Sequence, residues 1–257
     1  MQQVPRERDF RGLFKAPPGK VFVIADYSQM ELRVAAIMAG EEALLEAYRE
    51  GKDTHRLTAG MILAKPPENV TKEERQLAKA VNFGLLYGQR AKGLQDYAAS
   101  SYGVDISEKK AGDYRRAWFK AYPAFGQWHT RTASDAKRAL AIRTPAGRER
   151  RWASEDRGAP AGFRETEAYN TPVQGGAAEA MLAALGMLTC ELVRAGLDAT
   201  PLAVVHDELI IEVAEGQAEE ARQLVERSMV AGMLAIFPDA ATLGLVEAGI
   251  TRSWAGK

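Results

Sequence analysis

Thr71–Gly88, TKEERQLAKAVNFGLLYG, reads as a helix over 71–88 whose one face changes chemistry along its length. Arg75, Lys79, Phe83 and Tyr87 follow one another at i, i+4 steps and so stand in a single column. Two cations, an aromatic plane and a second aromatic bearing a hydroxyl suit a ligand with a polyphosphate at one end and a flat base at the other. A nucleoside triphosphate is such a ligand. The same spacing also describes an amphipathic helix with solvated cations and core aromatics, so the acidic stretches on either side have to decide.

Working outward, VFVIADYSQMELR (Val21–Arg33) opens with an apolar, β-branched run that stops at Asp26 and turns helical. On the other side, LAVVHDELIIEV (Leu202–Val213) has two apolar runs around His206, Asp207 and Glu208. A carboxylate at a strand end and a carboxylate pair in a tight hairpin supply oxygen ligands on stiff elements, as a divalent-metal phosphoryl-transfer site requires. Either acidic turn alone is equally an ordinary solvated turn.

Taken in order, DYSQMELR (26–33), RQLAKAVNFGLLYG (75–88) and VHDELI (205–210) resemble motifs A, B and C of the family A, polymerase I-like, DNA polymerases. Further segments agree. KDTHRLTAG (52–60) is similar to the family's Asp-x-His-x-x-Thr-Ala, TPAGRERR (144–151) to its Thr-x-x-Gly-Arg-x-Arg, and NTPVQGGAAEAM (170–181) to its Asn-x-Pro-x-Gln-Gly-x-Ala-Ala. The similarity runs from the Gln-x-x-Pro at Gln2 or Gln3 to Trp254.

The resemblance implies an α+β fold, an antiparallel palm sheet with packed helices and a helical fingers insertion. It divides the chain into palm (1–40), fingers (41–138) and palm again (139–257), with the family's thumb and 3′→5′ exonuclease domains expected to be absent. It implies a template-directed DNA polymerase that joins deoxynucleotides to a primer 3′-hydroxyl with two Mg²⁺ ions. Asp26 and Asp207 are then the metal ligands with the backbone carbonyl of Tyr27, and Glu208 is a secondary catalytic acid. Arg75 and Lys79 hold the triphosphate, Lys79 also being a candidate proton donor to the leaving pyrophosphate. Phe83 stacks on the incoming sugar and base, Tyr87 guards the template position, and Glu31 excludes a 2′-hydroxyl; Gln29 and His55 join this nucleotide-binding set. Asn170, Gln174, His206, Arg143, Arg148 and Arg150 are the expected primer-template contacts. Two positions depart from many relatives: Gln76 and Thr166 stand where a second motif B arginine and a primer-template arginine are usual.

Composition sets outer bounds. Of 257 residues, 46% are hydrophobic and 26% charged, enough for a sizeable globular core. Lys plus Arg and Asp plus Glu both number 34, so any basic surface is local. The best candidate is Lys137–Arg151, where six cations meet only Glu149 within the segment. One cysteine excludes an intrachain disulfide, and His at 55, 129 and 206 gives no Cys/His zinc spacing. The chain shows no run like a membrane span and no signal-peptide apolar region at its start, and a cytoplasmic location without a membrane partner is expected.

Along the chain, a strand to Asp26 precedes a helix from Ser28 to a stop at Gly40. Helices are expected over 41–49, 54–63, 91–102, 107–122 and 123–139, then a loop over 153–162 and a long helix from Arg164 to Leu197. Strand, hairpin and strand follow over 201–214, with a helix over 216–236 and a last strand over 243–250. On residues alone two further readings stay open: a catalytically incompetent nucleotide- or DNA-binding fragment needing a thumb-bearing chain or processivity partner, and a metal-dependent phosphohydrolase.

Overall fold

The computed structural model describes residues 4–5, 7–153 and 162–256, so the expected loop over 153–162 and the Gln2/Gln3 start fall almost wholly outside them. The fold is α+β and divides into two compact units, 1–30 with 177–257, and 31–176. Both expected subdomain boundaries, after 40 and after 138, lie inside the second unit.

In the first unit, α1 (Arg8–Arg11) precedes β1 (Lys20–Tyr27), which lies at the centre of a four-stranded sheet. The order is β4-β5-β1-β6, with β4 at Ala199–Val205, β5 at Glu208–Ala214 and β6 at Val246–Thr251. β1 is antiparallel to both neighbours. Because paired residues share a face, the register sorts the apolar run VFVIA into two buried rows. Val21, Val23 and Ala25 pair with Val213, Ile211 and Leu209, while Phe22, Ile24 and Asp26 pair with Glu212, Ile210 and Glu208. The second row packs with Val205 and Trp254.

Helix α10 (Ala218–Ile236) buries Ala221, Val225, Ser228, Met229 and Gly232 at helical spacing and packs on β1 and β6. The Tyr27 hydroxyl pins sheet to helix by donating to the Met229 carbonyl at 2.6 Å. Gly232 is required by close approach to helix α9 (Glu165–Ala195): a Cβ there would lie 2.5 Å from the Ala184 nitrogen. By length and composition α9 is long and apolar enough to cross a membrane, contrary to the expectation that no run resembles a span, and 44% of that window is buried within the protein.

The second unit holds α2 (Met30–Ala39, with Met30 in the first unit), α3 (Glu42–Arg49), α4 (Thr54–Leu63), α5 (Lys72–Leu86), α6 (Ala91–Tyr102), α7 (Glu108–Ala121) and α8 (Pro123–Ala139). It adds a small hairpin, β2 (Ala141–Arg143) with β3 (Glu149–Arg151), and the start of α9. Thr71 and Glu74 close a capping box on α5, each bonding the other's backbone N–H. One side of α5 buries Leu77, Ala78, Val81, Leu85 and Leu86. Helix boundaries follow the sequence pattern closely, α4, α6 and α8 spanning the expected residues, whereas the 141–151 hairpin and the short α1 are elements the pattern did not reveal.

Candidate active site

The first unit gathers acids at one end of its sheet. β4 and β5 are joined by the two-residue turn His206-Asp207, with Val205 paired to Glu208. His206 occupies the left-handed region at φ 59°, where a non-glycine residue is strained, and its side chain is exposed. The sheet then brings distant residues together. Tyr27 N–H donates to the Asp207 carbonyl at 3.0 Å, and Asp26 pairs with Glu208. Asp26 and Asp207 therefore stand one residue step apart on adjoining chains. Glu247 of β6 pairs with Asp26 on the other side, a neighbour that only the strand pairing reveals.

Glu208 is tied into the interior of the unit. It is buried, its Oε1 accepts from the Trp254 indole N–H at 2.6 Å, and Arg11 lies 3.5 Å away with its guanidinium over the Trp254 ring. Such a carboxylate is held by the protein's own donors. Among the described residues no group of three or more His, Cys, Asp or Glu is arranged to hold a metal ion. Oxygen donors of the kind a hard cation takes stand at this end of the sheet, the carboxylates of Asp26 and Asp207 and the Tyr27 carbonyl. That set suits Mg²⁺, which uses one or two carboxylates and takes its remaining oxygens from water and phosphates.

In the second unit, Arg75, Lys79 and Phe83 lie half-exposed on α5, and Tyr87 follows as its C-terminal cap, so the column of the sequence is a continuous surface stripe. Arg75 donates from Nε to Asp53 at 2.6 Å. Burial acts to raise the Asp53 pKa, but Arg75 and the backbone N–H of Arg56 outweigh it and hold the carboxyl below its ordinary value. Asp53 also caps α4 through the N–H groups of His55 and Arg56. The Lys79 ammonium lies 5.9 Å from the Tyr102 ring centre.

His55 is 2% exposed, with its ring centre 6.1 Å from that of Phe83. Burial, reinforced by Arg75, pushes its pKa down to about 4. Its Nδ1 lies 3.0 Å from the Asn82 amide nitrogen; Asn82 in turn meets Trp118 and Thr58, and Thr58 meets Tyr122. None of these four partners stood out in the sequence, because they meet only when α4, α5 and α7 pack.

Glu31 accepts from the Gln174 amide at 3.3 Å. Beside them the Tyr87 hydroxyl is buried without a hydrogen bond of normal geometry, and burial, followed by the charge of Glu31, raises its pKa. Asn170 is half-buried one turn before Gln174 on α9, and Gln29 has a positive φ of 54° in the first unit.

The expected basic patch is less free than its sequence suggests. Arg143 and Arg151 both pair with Glu149, Arg150 pairs with Glu167 at 2.9 Å, and Arg148 donates to the Gly175 carbonyl at 3.0 Å. A second concentration of cations in this unit shares Lys137 with that stretch. Arg90, Arg115, Arg116, Lys120 and Lys137 line a cleft of about 930 Å³ with Phe119, Phe163 and Tyr169, and Glu165 is its one acid. Sequence reading missed it because its residues come from four separate segments.

A sequence model of DNA polymerase family A matches residues 1–255. DNA polymerase I of Aquifex aeolicus is 41% identical over 222 residues, 86% of this chain and 37% of that protein. The thermostable DNA polymerase I of Thermus filiformis is 36% identical over 255 residues, 98% of this chain and 29% of that protein. The chain thus spans about a third of the length of these relatives. Among solved structures, the POL domain of Pol1 from M. smegmatis, in complex with DNA primer-template and dNTP, aligns with a TM-score of 0.85 at 30% identity. That alignment covers 99% of this chain and 44% of the other. With the ordered motifs and the match over nearly every residue in agreement, the chain belongs to DNA polymerase family A.

Proposed function

We propose that the chain is a template-directed DNA polymerase core that adds deoxynucleotides to a primer 3′-hydroxyl, with residues 1–40 and 139–257 serving as palm and 41–138 as fingers. The observation that carries this reading is the strand pairing that makes Asp26 and Asp207 backbone neighbours despite their separation in sequence. Two divalent ions held by Asp26, Asp207 and the Tyr27 carbonyl would neutralise the charge that develops on the attacking and leaving oxygens. Glu208 supports the turn from inside, through Trp254 and Arg11.

The remaining work is done by the chain's own groups. Arg75, oriented by Asp53, and Lys79 bind the triphosphate, and Lys79 supplies a proton to the leaving pyrophosphate. Phe83 stacks on the incoming nucleotide. Glu31, held by Gln174, excludes a 2′-hydroxyl, while Tyr87 closes the nucleotide end of the stripe. Asn170, Gln174 and His206 contact primer and template. The cationic cleft of Arg90, Arg115, Arg116, Lys120 and Lys137, with its aromatic walls, suits a single nucleic-acid strand better than the self-neutralised 143–151 hairpin does.

A second reading rests on the chain's share of its relatives' length: a nucleotide- and DNA-binding piece that extends a primer only when a thumb-bearing chain is supplied. Primer extension at low salt with each dNTP omitted in turn tests both. The proposal expects extension that stops one position before each missing complement. Template-independent shortening of DNA would favour a phosphohydrolase, and binding without extension the second reading.

A further inference from the structure

One buried cluster in the helical unit fixes hydrogen positions by elimination. Trp118 Nε1–H can only donate, and it donates to the Asn82 side-chain oxygen at 2.8 Å. The orientation of the Asn82 amide follows: its oxygen faces Trp118, and its NH₂ faces His55 Nδ1 at 3.0 Å. An NH₂ group has no acceptor capacity, so Nδ1 must accept. The ring proton of neutral His55 is therefore on Nε2.

Thr58 closes the cluster consistently. Its hydroxyl lies 2.9 Å from the Thr54 carbonyl, 3.1 Å from both the oxygen and the nitrogen of the Asn82 amide, and 2.8 Å from the Tyr122 hydroxyl, so it is compatible with the orientation that Trp118 sets. Thr58, Asn82, Trp118 and Tyr122 are all fully buried, so no water competes for these positions. On the far side of the ring, no described residue engages Nε2. The charged groups facing His55 are Arg75, Asp53 and Lys79.

We infer that Asn82, oriented by Trp118, is a positioning residue that locks His55 in the Nε2–H tautomer, so that this histidine presents one neutral N–H donor to a phosphate oxygen of the bound triphosphate. The inference rests on the nucleotide-binding reading of the α5 stripe, and it deepens that reading. A protonated ring could not form here without setting an Nδ1–H against the Asn82 NH₂, in agreement with the low pKa of His55. The donor is thus constant across the working pH range, whereas an unconstrained histidine would change tautomer and charge near neutrality.

The test is ¹⁵N-histidine NMR of the intact chain, with the three histidines assigned by single His→Gln variants. His55 should show an unprotonated Nδ1 and a protonated Nε2, unchanged from pH 8 to pH 5. Adding inorganic triphosphate should move the Nε2 signal and leave Nδ1 in place. A proton on Nδ1, or titration of the ring above pH 6, overturns the inference even if the chain extends primers normally. Conversely, the predicted tautomer and triphosphate response in a chain that never extends a primer would uphold it and defeat the polymerase reading.

Kinetics supply the second arm. Asn82→Leu should raise KM for dNTP about ten- to a hundredfold, the worth of a hydrogen bond to a charged group, with little change in kcat. In a His55→Ala background the same substitution should add almost nothing. Trp118→Phe keeps an aromatic ring in the stack on Phe125 and removes the indole N–H, so it guards against misfolding of the Asn82 variant. It should populate both His55 tautomers and raise KM by less. Equal KM effects of Asn82→Leu with and without His55 would overturn the positioning role.

Discussion

At the end of the sheet, Asp26 and Asp207 take their positions from backbone register, whereas inside the helical unit His55 and Asn82 take theirs from side chains contributed by three helices. The first arrangement leaves its side chains half-exposed on rigid supports. The second buries its groups and pairs them in sequence, Trp118 to Asn82 and Asn82 to His55. The contrast separates what each region can tolerate. A strand end can lose a carboxylate and keep its hydrogen-bond ladder, while a buried network that loses one member leaves another polar group unpaired, at a cost of about 1–3 kcal/mol.

The largest expected effect therefore lies at the sheet and concerns rate alone. Asp26→Ala or Asp207→Ala should slow extension by at least about a thousandfold, because metal-held charge contributes several kcal/mol to phosphoryl transfer. Thermal unfolding should hardly change. A variant that loses activity only by losing its melting transition would erase the contrast between the two regions.

The helical unit should reveal itself through acid instead. The His55 pKa is lowered from 6.5 in the unfolded chain to about 4 in the fold, so between those values the unfolded state binds the extra proton. Stability is fully present above pH 6.5 and falls as pH drops towards 4, by up to about 3 kcal/mol from this residue. His129, lowered by burial, adds in the same direction. Denaturant unfolding from pH 7 to pH 4.5 should show the decline, and His55→Gln should flatten it. An unchanged slope in that variant would mean that the network does not exclude the proton.

A smaller effect sharpens the comparison, because Glu208 lies on the sheet and yet is held as the helical network is. Glu208→Gln retains an acceptor for Trp254 and weakens the contact with Arg11, so it should lower stability by about 1–2 kcal/mol. Extension should fall no more than about tenfold. A loss as great as that of Asp207→Ala would move Glu208 among the metal ligands.

The difference between the regions also governs how much the amino-acid order discloses. Val21–Asp26 and Leu202–Val213 announce strand ends and a hairpin through local alternation and a break at an acid, and the α5 column is visible at i, i+4 spacing. Nearly all helix limits follow from such local signals, whereas the α+β class is an implication of the family resemblance. Asn82, by contrast, sits on the buried side of α5 among Leu77, Val81 and Leu85, and only the arrival of Trp118 from α7 gives it a partner. The cationic cleft is hidden in the same way, since Arg90, Arg115, Lys137 and Tyr169 belong to different segments. The charge of Arg143–Arg151 is visible in the sequence, but the pairing of Arg150 with Glu167 arrives through packing.

The central claim is that Asp26 and Asp207 act as one metal site. Equilibrium binding of Mn²⁺, followed by electron paramagnetic resonance with primer-template and dNTP present, tests it on the wild-type chain, each Asp→Ala variant and the double variant. The account predicts that either single substitution removes the same tight binding and that the double variant loses nothing more. Full Mn²⁺ binding retained by one single variant, or two independent losses that add in the double, would contradict it.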